Sequence, residues 1–234
     1  MTLHKKTAIA VGVLFLVALI FNLIASGIID PILDASDYLN KAFPQKTVII
    51  IGNVLNVIAA LAMIFIPIAL IPVIKKQYLL SAFSYIVFRA LEGILFIYMV
   101  IKSLTFISLS KTYIHAATED GTYIQTLADS IHLELHWATV IYIIIFALGA
   151  MIFYHLLFKS RLIPRFFSVW GFLAALLLFI GALLGLLSVG IFNQVPIMEG
   201  IVYFAPPIAL NEFVLAIWLI VKGFNPEPIM SQKG

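Results

Sequence analysis

Long, nearly uninterrupted apolar stretches dominate this sequence and most constrain what the chain can fold into. A helix needs about 20 apolar residues to cross the ~30 Å hydrocarbon core of a bilayer, and runs of that length predict transmembrane helices. The sequence predicts an all-α integral membrane protein, a single domain over residues 1–234. Its six spans are expected at about residues 7–29, 47–74, 80–108, 131–158, 166–190 and 204–222.

The composition supports this class and excludes others. Hydrophobic residues make up 63% of the chain and charged residues 11%, whereas soluble domains are about a quarter charged. With no cysteine, the chain has no thiol nucleophile, disulfide or cysteinyl metal site. The net charge of +3 is typical of loop lysines in a membrane protein, so we expect a lipid bilayer and no nucleic acid as partner. The sequence leaves the oligomeric state open.

Loop charges predict the orientation, because positive residues accumulate in cytoplasmic loops. The two sides of the predicted membrane differ clearly in their lysines and arginines. One side carries Lys5, Lys6, Lys75, Lys76, Lys159, Arg161, Arg165, Lys222 and Lys233, and the other carries Lys41, Lys46 and Lys111, with Lys102 nearby. Both termini are therefore expected in the cytoplasm.

Two connections on the predicted outer side are long enough to have structure. Asp30-Pro31 is a reasonable helix start, since proline suits the first helical position, and it predicts an interfacial helix over residues 31–43. Residues 111–130 are polar and contain the turn signal Thr118-Glu-Asp-Gly121.

The third and sixth predicted spans share a similar sequence. Ala90-Leu-Glu-Gly-Ile-Leu-Phe-Ile-Tyr-Met-Val-Ile-Lys102 is similar, with one gap, to Ala209-Leu-Asn-Glu-Phe-Val-Leu-Ala-Ile-Trp-Leu-Ile-Val-Lys222. These are the last helices of two three-span halves and run in opposite directions, as a 3+3 inverted repeat requires. The alternative is chance similarity between apolar helices.

Ionisable residues inside predicted spans need an explanation, because an unpaired charge in hydrocarbon costs at least about 2.5–3.5 kcal/mol. Arg89 and Glu92 share a helix face at a spacing of three, which suits an ion pair. Glu212 is expected at a similar depth. One guanidinium cannot fully neutralise two carboxylates, so a proton, a metal or a ligand's positive charge is expected nearby.

Several polar residues share a depth in the predicted outer half of the membrane. A polar pocket that opens outward would explain this shared depth, although hydrogen bonding between helices is the favoured interpretation of each asparagine taken singly. The predicted ligand-binding residues are Arg89, Glu92, His136, Glu212, Asn53, Asn56, Asn22 and Asn211.

A metal site is the less favoured interpretation of the same region. His132 and His136 have the i, i+4 spacing of many metal ligands, and Glu92 and Glu212 are the other candidates. The commoner role for such histidines is hydrogen bonding near the membrane interface. No glycine-rich dinucleotide, Walker, Gly-x-Ser-x-Gly or His-Glu-x-x-His motif is present, so no cofactor is predicted.

Several short motifs, taken in order, resemble one known family. They are Phe88-Arg-Ala-Leu-Glu-Gly93, a histidine opening the fourth span (either His132 or His136), Lys159-Ser-Arg-Leu-Ile-Pro-Arg165, and Asn211-Glu-Phe-Val-Leu-Ala-Ile-Trp-Leu-Ile-Val-Lys-Gly223. The chain resembles, over nearly its whole length, an uncharacterised bacterial family known as domain of unknown function 4386. The resemblance marks Arg89, Glu92, His136, Pro164, Arg165, Glu212 and Lys222 as family-type positions and implies a multi-pass protein of the bacterial plasma membrane. It implies no activity.

Three functions remain open from the sequence. The first is binding or carrying a small molecule or lipid in the outward polar pocket. The second is a non-catalytic assembly partner, in which Arg89 and Glu92 orient helix packing. The third is an intramembrane metal-dependent hydrolase, which needs about three converging ligands. A non-enzymatic role is favoured over an enzymatic one.

Overall fold

The computed structural model describes residues 3–74, 76–116, 118–191 and 204–225. Within these ranges the chain is helical and contains no strand, which confirms the predicted all-α class. Two short 3-10 turns, Ile71–Val73 and Lys76–Tyr78, join the third and fourth helices. The α-helices are α1 (Leu3–Leu33), α2 (Tyr38–Lys41), α3 (Lys46–Leu70), α4 (Leu79–His115), α5 (Thr118–Ser160), α6 (Arg165–Ile191) and α7 (Pro206–Val221).

Among the described residues, five helices are long and apolar enough to cross a membrane: α1, α3 with its following turn, α4, α5 and α6. These correspond to the first five predicted spans. The sixth predicted span, residues 204–222, contains α7, which is apolar but only 16 residues long. The helices therefore support a multi-pass membrane protein.

Neighbouring helices along the chain pack side by side, and α7 closes the bundle by packing against both α6 and α1. Apolar side chains of α1, α3, α4, α5, α6 and α7 fill the interior, as expected where each helix presents one face to its neighbours. At one end, the Lys5 ammonium donates to the carbonyl oxygens of Ile220 (3.2 Å) and Val221 (2.6 Å). These two hydrogen bonds join the first turn of α1 to the last turn of α7.

The opposite end of the bundle, where α2 connects α1 to α3, is called here the α2 end. A second apolar cluster lies there, on α2 and the adjoining parts of α1, α3, α4 and α5. The Ser110 hydroxyl of α4 donates to the Leu39 carbonyl (2.5 Å) and accepts from the Phe43 amide (2.8 Å), which fixes α2 against α4. We name this cluster the cap; its buried members are Ile29, Ile32, Leu33, Tyr38, Leu39, Ala42, Ile49, Phe106, Ile124, Ala128 and Ile131.

The predicted interfacial helix over residues 31–43 does not begin where expected. Helix α1 continues through Pro31 to Leu33, and α2 is a single turn from Tyr38 to Lys41. Proline forfeits one backbone hydrogen bond inside a helix. Burial of Ile32 and Leu33 in the cap accompanies the extra turn of α1.

The polar connection over residues 111–130 is also mostly helical. Helix α4 runs to His115 and α5 begins at Thr118, so the Thr118-Glu-Asp-Gly121 segment opens a helix instead of forming a turn. Ile124, Ala128 and Ile131 are buried in the cap at spacings of four and three. That spacing gives α5 an apolar stripe well before its predicted membrane span.

Candidate functional site

A buried ion cluster lies at the centre of the bundle. Arg89 and Glu92, on consecutive turns of α4, are 3% and 1% exposed. Arg89 Nη1 donates to Glu92 Oε1 (2.8 Å) and Oε2 (3.0 Å), as the i, i+3 spacing predicts. From α7, Glu212 Oε1 approaches Arg89 Nη2 at 3.6 Å. The three residues predicted to share a depth therefore meet.

Aromatic side chains enclose the Arg89 guanidinium. Arg89 Nε donates to the Tyr85 hydroxyl (2.9 Å), one turn earlier on α4. The guanidinium carbon lies 5.4 Å from the centre of the Tyr85 ring, 5.5 Å from that of Phe146 and 6.0 Å from that of Phe15. Such contacts stabilise a cation that has lost its water.

Glu212 is the less completely satisfied carboxylate of the cluster. Its Oε1 atom is buried and has no hydrogen-bond partner among the described residues, and 3.6 Å is too long for a hydrogen bond. Glu92 holds the two short bonds to the guanidinium. One arginine and two ionised glutamates would give the cluster a formal charge of −1.

A separate cavity of about 500 Å³ lies between α1, α3, α4 and α5, towards the α2 end. Its polar lining includes Asn22, Asn53, Asn56, His132 and His136. Its apolar lining is Ile29, Leu33, Phe96, Met99, Val100 and Leu135. A concave site with an apolar wall and a few convergent polar groups is typical of small-molecule binding.

Asn53, which lines this cavity, holds a buried acceptor. Its side chain is 3% exposed, and its Nδ2 atom donates to the Ile49 carbonyl (2.9 Å) and the Ser103 hydroxyl (2.9 Å). Since a carbonyl can only accept, these bonds fix which end of the amide is nitrogen. Oδ1 is left buried without a partner among the described residues, as is Oδ1 of Asn56.

Asp30 and Asp34 line the cavity at the α2 end, where both are exposed. Both lie beyond the first predicted span, which was expected to end at about residue 29, so they were not among the predicted ligand-binding residues. The signal was nevertheless present: Asn22, Ser26, Asp30 and Asp34 recur every four residues and form one polar stripe along α1.

Tyr142 of α5 connects the cavity with the ion cluster. It lines the cavity, and its side chain lies close to the Glu92 carboxylate. Its ring lies against Phe96, with the ring centres 5.5 Å apart. Tyr142, Tyr85 and Ser103 were missed from the sequence because tyrosine and serine are ordinary residues in apolar helices.

The predicted ligand-binding residues fall into three places. Asn22, Asn53, Asn56 and His136 line the cavity, whereas Arg89, Glu92 and Glu212 form the ion cluster behind Tyr142. Asn211 is fully buried elsewhere, where its Nδ2 donates to the Phe167 carbonyl (3.2 Å) and joins α7 to α6. The eight residues therefore do not line a single pocket.

The histidines lie in the cavity wall. The His132 ring lies 4.4 Å from the ring centres of both Tyr38 and Phe106, and its buried Nε2 has no partner among the described residues. His136 packs against Trp137. Over the described ranges, no three His, Cys, Asp or Glu side chains are placed to hold a metal ion. The candidates His132, His136, Glu92 and Glu212 do not form such a group.

Polar contacts in the cap surround the wall that holds His132. The Tyr38 hydroxyl donates to Asp129 (2.8 Å) and accepts from Gln125 (3.1 Å). Burial and the bond to the Asp129 carboxylate raise the pKa of Tyr38 above its usual value. The Lys41 ammonium, 2.7 Å from Asp37, lowers the pKa of that carboxyl.

Comparison with known families gives one match. The family model described as "Domain of unknown function (DUF4386)" matches residues 10–223, and the motifs around Arg89, Glu92 and Glu212 lie within it. No curated protein and no solved structure matches the chain. Since the match covers most of the 234 residues, the chain belongs to the DUF4386 family of multi-helix membrane proteins.

Proposed function

We propose that this protein binds a small organic molecule in the cavity between α1, α3, α4 and α5. The observation that carries the proposal is the buried, unpartnered Oδ1 of Asn53 in the wall of a roughly 500 Å³ cavity. A buried acceptor without a partner costs about 1–3 kcal/mol. A ligand that donates a hydrogen bond would remove that cost once the amide turns its Oδ1 toward the cavity.

The lining supports an amphipathic ligand. Asn53, Asn56 and Asn22 offer polar contacts, and Phe96, Met99 and Leu135 offer apolar ones. A lipid or a small amphipathic metabolite has this combination. Binding could serve a carrier or a receptor.

We further propose six crossings of the bacterial plasma membrane, with α7 in the sixth and both termini in the cytoplasm. The end of the bundle opposite α2 supports this orientation, because Lys5, Lys159, Arg161 and Lys222 lie on the helix ends there. The cavity would then open outward. The 3+3 inverted repeat stays a prediction: Glu92 and Glu212, its matching acids, approach the same arginine.

The two alternative functions have less support. A metal-dependent hydrolase needs about three converging ligands, and the described residues offer no such group. An assembly role requires only that the ion cluster orient helices, so it leaves the polar cavity without a purpose.

The test is a thermal-stability screen of purified protein in detergent, with amines, carboxylates, alcohols and lipids as probes. Thr139 lines the cavity, so Thr139→Phe should fill it; Leu133 lies on the same helix but is 57% exposed, so Leu133→Phe is the matched control. We expect at least one class to raise the Tm of the wild type and of Leu133→Phe, but not of Thr139→Phe. The proposal is wrong if no class of probe raises the Tm of the wild type, or if the same probe raises the Tm of Thr139→Phe by an equal amount.

A further inference from the structure

We propose that the cavity selects organic cations, in the form of an ammonium group on an apolar body. This inference rests on the proposed function and names the class of its ligand. Its elements are the charges at the mouth, the free acceptors in the wall, and the aromatic and acidic groups at the deep end.

Of the charged side chains that the structure describes, only carboxylates lie at the mouth of the cavity. Asp30 and Asp34 are one turn apart, and neither carboxylate has a hydrogen bond or an ion pair to another described side chain. No lysine or arginine is among the described residues that line the cavity. Such a mouth attracts cations and repels anions, and low-dielectric walls strengthen the effect.

The wall offers hydrogen-bond acceptors that lack donors. Asn53 Oδ1 and Asn56 Oδ1 are both buried and unpartnered among the described residues. An ammonium group carries three donors and no acceptor, so it matches this wall better than a carboxylate does. The buried amide is a second observation, independent of the acidic mouth.

The deep end would also stabilise a cation. Phe96 and Tyr142 form an aromatic pair there, and ring faces attract cations. Behind Tyr142 lies Glu92, whose cluster contains one more carboxylate than arginine. With both glutamates ionised, this cluster would add negative potential to the deep end.

The size of the cavity favours an organic cation over a bare metal ion. About 500 Å³ is far more than one inorganic ion needs, and much of the wall is apolar. Met99, Val100 and Leu135 would contact the body of the ligand while the ammonium faces the acceptors. The structure thus matches an amine of drug-like size, within the range of ordinary ligand pockets.

The first experiment measures charge selectivity without a known ligand. The chain has no cysteine, so Asn22→Cys places a single thiol in the cavity wall and Tyr123→Cys, 73% exposed, places one outside it. Each is treated with a cationic and an anionic methanethiosulfonate reagent of similar size at pH 8. Rates are divided by those for free 2-mercaptoethanol. We expect a cation preference of about tenfold or more at Asn22→Cys and little at Tyr123→Cys.

The second experiment uses matched probes: 2-phenylethylammonium, 2-phenylethanol and phenylacetate, each added to the wild type and to Asp30→Asn/Asp34→Asn. We expect the amine alone to raise the wild-type Tm by about 2 °C or more, and the double variant to lose most of that rise. Equal or greater stabilisation by the alcohol or the acid, absent in Thr139→Phe, would overturn the cation inference and keep the proposed function. If neither reagent reaches Asn22→Cys and no probe stabilises the protein, both proposals are wrong.

Discussion

At the scale of single residues, the ion cluster makes the sharpest prediction, because its two carboxylates are not equivalent. Glu92 makes two short bonds to Arg89, whereas Glu212 stays at 3.6 Å. Glu92→Gln would leave the buried guanidinium poorly paired and should cost about 3–5 kcal/mol. Glu212→Gln would leave a neutral Arg89–Glu92 pair and should cost about 1 kcal/mol or less. Unfolding free energies in mixed detergent micelles measure both.

Arg89→Met is the control for these two variants, because it removes the one positive charge of the ion cluster. It leaves two buried carboxylates without their arginine, so it should be at least as damaging as Glu92→Gln. Equal losses of unfolding free energy in Glu212→Gln and Glu92→Gln would contradict the assignment of Glu92 as the main partner of Arg89. They would mean that the charge of Glu212 is neutralised by another cation.

Charged residues and asparagines inside the predicted spans revealed only part of the ion cluster and the cavity wall. Arg89, Glu92 and Glu212 were found because any charge is costly inside an apolar run. Tyr85, Ser103 and the other uncharged partners were not found, since a hydroxyl at such a position carries no comparable cost. Asn211 was grouped with the cavity residues by depth alone, and its amide instead donates to the Phe167 carbonyl, because depth along a helix does not give the direction in which the side chain points.

At the scale of helices, two glycines of α1 allow a matched test of packing. A Cβ atom on Gly12 would lie 2.6 Å from the Ala216 carbonyl oxygen of α7, a backbone atom that cannot move alone. Gly12→Ala should therefore separate α1 from α7 and cost about 1–3 kcal/mol. A Cβ on Gly27 meets nothing within 4 Å, so Gly27→Ala should be neutral or slightly stabilising. Thermal unfolding of the two variants in detergent compares them directly.

Similar losses in the two variants would show that the helix itself, and not its contact with α7, responds to the added methyl group. A loss confined to Gly12→Ala would support close approach of the first and last helices of the bundle.

The lengths of the apolar runs predicted which segments are helical better than they predicted where each helix ends. The long apolar runs located α1, α3, α4, α5 and α6, because membrane spans require little more than length and hydropathy. The ends were misjudged at Pro31, which was predicted to start a new helix, and at residues 111–130, where Thr118-Glu-Asp-Gly121 was predicted to form a turn. Contacts in the cap, which join residues far apart in the sequence, accompany the helical conformation at both places.

At the scale of the whole molecule, orientation is the property to test. The proposed topology places the α2 end outside and both termini inside. An impermeant thiol reagent on intact cells should label Tyr123→Cys, and should label Leu3→Cys only after permeabilisation, in a chain with no other cysteine. Both side chains are well exposed, at 73% and 63%, and neither substitution changes a loop charge. The reverse pattern would place the cavity mouth in the cytoplasm.

Helix α4 joins the two regions described above in one rigid body. Arg89, in the ion cluster, and Ser110, bound to α2 in the cap, lie about 32 Å apart along that helix. Helix α4 is thus a lever arm: a tilt of about 5° around its Ser110 end would displace Arg89 by roughly 3 Å. Because Glu92 lies on the same helix and moves with Arg89, such a tilt leaves that pair intact, but the displacement is comparable to the 3.6 Å between Arg89 Nη2 and Glu212 Oε1. A small rotation of the cap would therefore be enough to make or break the contact between Arg89 and Glu212 alone.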